Sequence, residues 1–356
     1  MKIMKPLLTT LYITLITVFG LQAQIPKKIE KINFKHEINY ALNFVIDNEG
    51  LYYIYDKNES TILKFDHKGN LLKKIGSRGR GPGEFLKVSL LLYNDESNLI
   101  YAYDMPSFSI KEITTDGEFI NQYDYPDKQM VNPFYGYIEN DLAYLVFYGP
   151  YALSQNIVHE TDIKKGKTLR SFYDFKNMTA KKNKILAHNY KGTPFGLHSI
   201  KLENDDILLV NTTYEDHFYV RNDENYINKI LVPKRDDNKS YKEISNPNYN
   251  KNYNKTDGIT SEIYRYIIGV AELDSTILVF EQSNYDELNF GYHIYNNTNY
   301  EYIGYKELNN LKINAKKDEY INAYPQFFLM AAKDNNIYFG RITRANELFT
   351  VLKMEF

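Results

Sequence analysis

Cysteine and tryptophan are absent from this chain of 356 residues. Without cysteine there can be no disulfide, thiol nucleophile, thiolate metal site or lipid-anchored N-terminal cysteine, so the fold depends on its core alone. Neither sign of charge dominates, since 43 Lys and Arg residues stand against 45 Asp and Glu residues. That balance provides no electrostatic footprint for nucleic acid, which we exclude as a partner.

Long helical periods are also missing from the chain after Gly20, whereas aromatic residues are abundant. The sequence holds 34 Tyr and 20 Phe residues. Aromatic and β-branched side chains favour half-buried pleated surfaces. The composition therefore predicts an all-β protein.

The N-terminus has the pattern of a secretory signal peptide. Lys2 and Lys5 precede an uncharged stretch, residues 6–20, and the small residue Ala23 precedes a polar region. The stretch is too short and too rich in Thr for a membrane span of roughly 20 apolar residues. We expect cleavage after Ala23 and a periplasmic or extracellular domain of residues 24–356 without a membrane span; an uncleaved N-terminal anchor is the alternative.

One unit recurs along the chain: an apolar strand, an Asn- or Asp-rich turn, a second apolar strand, a third strand, another turn and a fourth strand. Residues 51–56 and Gly69 match residues 99–104 and Gly117 at the same offset of 48. Repeats of this length are typical of four-stranded propeller blades. The second strands of six copies begin at Leu51, Leu99, Leu142, Ile207, Ile277 and Ile337, at spacings of 48, 43, 65, 70 and 60 residues.

The two ends of the chain predict how the ring closes. The sixth copy stops at Phe356 after its third strand, 348–354, and a spare strand, 28–34, precedes the first copy. If the spare strand completes the last blade, no sheet edge stays open between the termini. We therefore predict a six-bladed β-propeller with four-stranded blades, closed by the N-terminal strand. A two-sheet sandwich or two separate β-domains would be the alternatives.

Two segments carry a family resemblance. Residues 76–85 read Gly-Ser-Arg-Gly-Arg-Gly-Pro-Gly-Glu-Phe and resemble the linker between blades of NHL-type propellers. Residues 24–356, including the segment 213–230, resemble the six-bladed, TolB-like propellers exported by Bacteroidetes. The resemblance implies a propeller used for binding, and it supplies no catalytic residues.

The glycine-rich linker itself allows two interpretations. Its glycines, Arg78 and Arg80 could present backbone N–H groups and guanidinium groups to an anion. However, the segment lacks the Gly-Lys-Ser/Thr ending of a phosphate loop and does not open a helix. The structural alternative is a tight passage between blades with Phe85 inserted between them.

Geometry predicts where a ligand would bind. In a propeller, every linker from an outer strand to the next inner strand reaches the same face, near the central channel. Aromatic, Arg and His residues at such a mouth suit a glycan, a peptide or a small anionic ligand. The linkers carry Glu84, Phe134, His188, Lys191, Tyr264, Tyr266 and Phe327, and from them we select Arg78, Arg80, Tyr135, His198, Arg265 and Tyr324 as ligand-binding residues.

No cofactor and no metal site follow from the spacing of ligands. The seven histidines contain no His-x-x-x-His pair, so zinc would need residues from different blades. Calcium is possible, because Asp and Asn are plentiful, although most of them fall in hairpin turns. No Gly-x-Ser-x-Gly nucleophile motif is present. Glu203 and Glu272 precede turns and are interpreted as solvated strand ends, and the polar segment 246–260 as a surface loop or, alternatively, a lid.

These observations favour an exported, monomeric, non-catalytic protein that binds a small molecule, glycan, peptide or protein at the channel mouth. A metal-dependent enzyme of the propeller lactonase or lyase kind is the alternative. That alternative rests on the fold alone, and propellers host many activities.

Overall fold

The computed structural model describes most of the repeated units. The described residues are 25–38, 41, 44–125, 133–147, 156–174, 197–211, 217–221, 227–233, 241–245, 259–263, 265–284, 288–308, 327–341 and 349–356. The proposed signal peptide, residues 1–23, lies outside this set.

Six four-stranded antiparallel sheets follow one another along the described chain, and the predicted blades are confirmed. In each of blades 1 to 5 the strands follow chain order from the inner to the outer edge. The first three blades consist of the following strands: β2 (Phe44–Ile46), β3 (Tyr52–Asp56), β4 (Thr61–Phe65) and β5 (Leu71–Ile75); β8 (Val88–Asn94), β9 (Leu99–Asp104), β10 (Ser109–Thr114) and β11 (Phe119–Asp124); and β12 (Pro133–Glu139), β13 (Leu142–Phe147), β14 (Asn156–Asp162) and β15 (Lys167–Asp174).

Blades 4 and 5 repeat the arrangement, and blade 6 takes its outer strand from the start of the chain. Their strands are β16 (Leu197–Lys201), β17 (Ile207–Asn211), β18 (His217–Arg221) and β19 (Ile227–Leu231); β22 (Arg265–Leu273), β23 (Thr276–Asn284), β24 (Leu288–Asn296) and β25 (Tyr302–Glu307); and β26 (Phe327–Lys333), β27 (Asn336–Arg341), β28 (Thr350–Glu355) and β1 (Lys28–Asn33).

The ring closes as the chain ends predict. Strand β1 pairs antiparallel with β28 from Lys28↔Glu355 to Asn33↔Thr350. The Lys27 ammonium also donates to the Phe356 backbone oxygen at 2.8 Å. The spare N-terminal strand therefore occupies the outer position of blade 6, and the edge of β28 is covered.

The core is divided into six apolar clusters, one between each pair of neighbouring blades. For example, Tyr53 and Tyr55 of blade 1 pack with Ile100 and Ala102 of blade 2. Tyr338 of blade 6 packs with residues of blade 1 in another of these clusters. The six clusters therefore lie between all neighbouring blades of the ring. The inner strands β2, β8, β12, β16, β22 and β26 contact one another in that order around the ring.

These clusters correct the alignment of the last three copies by one residue. In blade 4, Ile207 packs against the preceding blade. In blade 2, the residue that packs against the preceding blade is Ile100, which follows Leu99. Ile207 therefore corresponds to Ile100 and not to Leu99. The true equivalents of Leu99 are therefore Asp206, Thr276 and Asn336, and not Ile207, Ile277 and Ile337. The alignment slipped because both faces of a blade are buried, so apolar content alone cannot fix a register with a period of two.

Four outer strands carry a β-bulge at the same place, directly after the last turn of the blade. In blade 1, Lys64 pairs with Lys73 and Phe65 with Leu71, so Leu72 is the extra residue. The bulge residues are exposed aliphatic side chains: Leu72, Ile120, Leu169 and Ile303. A bulge twists an edge strand and discourages another chain from pairing with it.

Two short sheets lie outside the blades. Strands β6 (Ser77–Arg78) and β7 (Glu84–Phe85) pair in parallel within the glycine-rich linker. Strands β20 (Tyr241–Ser245) and β21 (Ile259–Ile263) form a hairpin between blades 4 and 5, which the sequence did not predict. Most of the proposed loop 246–260 lies outside the described residues, but Ile259 and Thr260 belong to β21.

Candidate functional site

The antiparallel order of each blade separates the connections onto two faces. The starts of the inner strands, the ends of the second strands and the ends of the outer strands lie on one face, which we call the linker face. The opposite ends of these strands lie on the other face, which we call the turn face. The first residues of each inner strand thus approach the linker face beside the central axis.

The glycine-rich linker uses its own backbone groups. The Gly81 N–H donates to Glu84 Oε2 at 2.7 Å, so the carboxylate of Glu84 already occupies the position that an anion would take. Gly76 has a φ of +76°, and a Cβ there would overlap the Phe85 ring. Phe85 is completely buried between blades 1 and 2. These contacts support the interpretation of the segment as a tight passage between blades.

Arg78 and Arg80 lie on this linker with exposed side chains. Within the described part of the chain, neither guanidinium forms an ion pair. Their exposure leaves both groups available to an anionic ligand, but their role in binding stays a prediction.

A buried ion pair anchors the end of the linker. Lys111 Nζ lies 3.5 Å from Asp104 Oδ2, and both side chains are 1% exposed. Asp104 also accepts hydrogen bonds from the backbone N–H groups of Leu86 at 3.2 Å and Lys87 at 3.0 Å. Lys111 donates to the Glu84 carbonyl oxygen as well. This pair was not predicted from the sequence, although a Lys within an apolar third strand was a signal.

The opposite blade carries an equivalent pair. His293 Nε2 and Glu281 Oε2 are 2.9 Å apart and almost fully buried. Glu281 pairs with Ile267 as Asp104 pairs with Val88, and His293 pairs with Val279 as Lys111 pairs with Ala102. Blades 2 and 5 therefore each hold an acid and a base between the second and third strands, near the linker that enters the blade.

Tyr135 and His198 are brought together at the inner edge of the ring. Tyr135 lies on β12 of blade 3 and His198 on β16 of blade 4, and their ring centroids are 3.7 Å apart with the planes tilted by 39°. His198 is 5% exposed, and Tyr135 is partly buried. Two of the six selected residues thus form one aromatic contact between neighbouring inner strands.

A bulge in the inner strand helps to orient Tyr135. In β12 the pairing shifts between Pro133 and Tyr135, so that residue 134 is the extra one. Inner strands β8 and β22 contain the same shift after five regular pairs, whereas β16 pairs regularly from Leu197 to Lys201. Bulges redirect side chains near functional sites, and this one ends the regular strand beside the linker face.

Burial controls the protonation of both side chains. Burial lowers the pKa of His198 to about 3, so its imidazole is neutral at pH 7. Burial also raises the pKa of the Tyr135 phenol, which keeps it protonated. Neither ring nitrogen of His198 has a hydrogen-bond partner among the described residues. Folded proteins rarely leave buried polar atoms unpaired, so this imidazole requires an explanation.

The remaining selected residues, Arg265 and Tyr324, lie later in the chain. Arg265 begins β22, where its backbone pairs with Ser283. Tyr324 lies outside the described residues. Of the wider set, His188, Lys191 and Tyr264 also lie outside them, and the backbones of Tyr266 and Phe327 belong to β22 and β26.

On the turn face, the proposed solvated strand ends form a defined contact instead. Glu272 is partly buried; it accepts hydrogen bonds from the Glu203 N–H at 2.8 Å and from Asn297 Nδ2 at 2.9 Å. Burial raises the pKa of the Glu272 carboxyl. The expectation was therefore wrong for Glu272, because Glu203 of the neighbouring blade supplies a donor that no local pattern reveals. Glu203 itself is exposed.

The described residues contain neither a membrane-spanning helix nor a cluster of metal ligands. None of the helices in this part of the chain is long and apolar enough to cross a membrane. No three His, Asp or Glu residues among them are grouped so that they could hold a metal ion.

Six four-stranded blades around a ring of inner strands define the protein as a six-bladed β-propeller. A family model described as a 6-bladed beta-propeller, DUF5128, matches residues 37–321, and the chain belongs to this family. No curated protein matches the chain.

Solved structures share the fold at low sequence identity. A member of the DUF4221 family from Bacteroides vulgatus is 12% identical with a TM-score of 0.56, over 93% of this chain and 96% of that one. A Bacteroides fragilis protein, which its name describes as exported, is 12% identical with a TM-score of 0.52 over the same shares. Virginiamycin B lyase from Staphylococcus aureus is 12% identical with a TM-score of 0.46, over 92% and 99%. The first two likenesses show the fold alone.

Proposed function

We propose that this chain is an exported, monomeric binding protein that holds a glycan, peptide or small anionic ligand at the linker face of its propeller. The observation that carries the proposal is the contact between Tyr135 and His198. It places a neutral, buried and unpaired imidazole beside an aromatic ring at the inner edge of two blades. Ligand sites commonly combine aromatic walls with a few precisely placed polar groups.

Export and the monomeric state have separate support. The basic and apolar start of the sequence is typical of a signal peptide, and one structural relative is described as exported. The bulged outer strands discourage association through blade edges. Mass spectrometry of the protein from a bacterial host should give a mature N-terminus at Gln24. Light scattering should give one chain per particle.

A glycan and peptide array tests the binding proposal. Residues 24–356 should bind one class of ligand on the array. The double variant Arg78→Ala/Arg80→Ala should lose binding if that ligand is anionic and retain it otherwise. His67→Ala is the matched control, because His67 is exposed in a turn of blade 1 on the turn face. An array without any bound class would contradict the proposal.

The same imidazole supports one second candidate, a metal-dependent lactonase or lyase. A neutral histidine is a suitable ligand for zinc, which takes three protein ligands at a catalytic site. The other two would have to come from outside the described residues, which group no three such ligands. Calcium gains no such support, because it prefers oxygen ligands. Elemental analysis of the purified protein would find about one equivalent of zinc if this candidate is correct. A metal-free protein without a thermal shift on addition of zinc or calcium would exclude it.

A further inference from the structure

We infer that Arg78 and Arg80 bind the acidic groups of a glycan, and that the buried pair of Asp104 and Lys111 holds the linker in the conformation that presents them. The inference rests on the proposed binding function and narrows it, since that function also admits neutral glycans, peptides and other small anions. It identifies the class of ligand, and it assigns Asp104 and Lys111 as positioning residues.

The glycine-rich linker folds back on itself and leaves its two arginines exposed. Strands β6 and β7 pair in parallel, and the Gly81 N–H donates to Glu84 Oε2 at 2.7 Å. A Cβ at Gly79 would overlap the Glu84 carboxylate, so this side chain fills the space beside the glycines. Arg78 and Arg80, on either side of Gly79, are both exposed. The guanidinium groups, rather than the Gly81 N–H, are therefore accessible to a ligand.

The buried pair fixes the end of the linker from within blade 2. Asp104 Oδ2 accepts the Leu86 N–H at 3.2 Å, and Asp104 Oδ1 accepts the Lys87 N–H at 3.0 Å. Lys111 donates to the Glu84 carbonyl oxygen. The Asp104 and Lys111 side chains are 1% exposed, so they hold the linker without contact to a ligand. Binding then does not have to order the linker, a step that costs affinity in flexible loops.

Two guanidinium groups separated by one residue suit a ligand with several oxyanion groups. The Cα atoms of Arg78 and Arg80 lie at most about 7 Å apart, which is the length of two extended residues. Each planar guanidinium can donate two parallel hydrogen bonds to a carboxylate or sulfate. Among the described residues, no carboxylate forms an ion pair with either group, so the chain itself leaves their charge available. The linker therefore favours an anionic ligand over a neutral sugar.

A linker held in one conformation favours an acidic glycan over an acidic peptide. The carboxylate of a uronic acid is attached directly to a stiff sugar ring. An Asp or Glu side chain reaches the guanidinium groups through rotatable bonds, and fixing these bonds costs conformational entropy. A preorganised site gains most from a ligand whose charges are also fixed in position.

Calorimetric titration of residues 24–356 at low salt tests the arginine site with four probes. Hexagalacturonate and a heparin hexasaccharide carry acidic groups on a sugar chain, hexaglutamate carries them on a peptide, and maltohexaose is neutral. At least one acidic glycan should bind, and more tightly than hexaglutamate. The variant Arg78→Ala/Arg80→Ala should weaken that binding at least about 10-fold, since two charge-assisted contacts are lost. The matched control Lys73→Ala/Lys74→Ala removes the same charge from exposed residues of β5 and should stay within about threefold of the unchanged protein.

The variant Asp104→Asn separates positioning from charge. Removal of a negative charge should by itself strengthen the binding of an anion. Asn has one oxygen where Asp104 uses two, so one linker N–H loses its acceptor, and the positioning role predicts binding weaker by about 3- to 10-fold. Hydrogen exchange should become faster in residues 77–87 while blade 4 stays protected, which checks that the variant is folded. If Asp104→Asn does not fold, Asp104→Asn/Lys111→Met, which leaves no buried charge, should show the same weakening.

The outcomes distinguish this inference from the broader function. Equal binding by the arginine variant, or an equal loss in the lysine control, overturns the arginine site. Tighter binding of hexaglutamate identifies an acidic peptide and overturns the glycan assignment. Unchanged or tighter binding by Asp104→Asn overturns the positioning role. If maltohexaose alone binds, or if only the array finds a ligand of another class, the inference fails while the binding function stands. If neither the probes nor the array give binding, both fail.

Discussion

The buried imidazole of His198 should make the stability of the fold depend on pH in a predictable way. Its pKa is about 3 in the folded chain and about 6.5 in an unfolded chain, where nothing buries it. As pH falls below 6.5, His198 becomes protonated in the unfolded state while it stays neutral in the folded state. The free energy of unfolding is therefore not reduced by this site above pH 6.5, and it decreases progressively as pH falls towards 3.

The size of the effect follows from the two pKa values. At pH 7.5 the unfolded histidine is mostly neutral and the effect is negligible. At pH 5 the unfolded state is favoured by about 2 kcal/mol, since each unit between the pH and the unfolded pKa contributes about 1.4 kcal/mol. A single site should thus remove a noticeable part of the total stability under mild acid.

Urea denaturation of the unchanged protein and His198→Phe at pH 7.5, 6 and 5 measures this effect. Carboxyl groups also titrate in this range, but they are shared by both proteins and cancel in the difference. The free energy of unfolding of His198→Phe should rise relative to the unchanged protein by about 2 kcal/mol between pH 7.5 and 5. His67→Phe should show no such change. A constant difference between the two proteins would refute the assignment of a buried, unpaired imidazole.

Three further predictions concern the ring and its linker. Deletion of residues 24–34 uncovers the edge of β28, so light scattering should detect aggregates, and a stable monomer would contradict the closure. Lys111→Met leaves the Asp104 carboxylate buried without its partner and should cost about 3 kcal/mol in urea denaturation, with partial recovery in Lys111→Met/Asp104→Asn; an unchanged midpoint would refute the ion pair. Phe85→Ala should cost about 3 to 5 kcal/mol, whereas Arg78→Ala should change stability by less than about 0.5 kcal/mol; equal effects would contradict their opposite burial.

Hairpins and ring closure were predictable because local chemistry determines them. The turn after β2 is an example: Gly50 has a φ of +77°, and Asp47 Oδ1 accepts the N–H groups of Glu49 and Leu51 at 2.9 Å. Residues four or fewer apart make these bonds, so a short pattern reveals them. The count of hairpins and the spare strand then predicted the partner of β28.

Contacts between blades were not predictable in the same way. The one-residue slip at Ile207 and the hydrogen bond from Glu203 to Glu272 both depend on which blade packs against a strand. The pairs Asp104–Lys111 and Glu281–His293 join positions whose equivalence appears only after the register is known. Similarly, the sequence placed Tyr135 and His198 on one face, but their contact and the burial of His198 arise from the packing of blade 3 against blade 4.

The pairing of β1 with β28 has a consequence for how the chain acquires its structure. The pairing of Lys28 with Glu355 joins residues more than 300 positions apart, whereas most other strand pairs join near neighbours in sequence. Five blades can each form from a continuous segment of the chain. Blade 6 forms only when β1, from the start of the chain, pairs with β28 near its end. Contacts between distant residues slow folding, and uncovered strand edges invite aggregation in the meantime. We therefore expect the pairing of β1 with β28 to be the slowest step of folding. Aggregation should be most likely before this step.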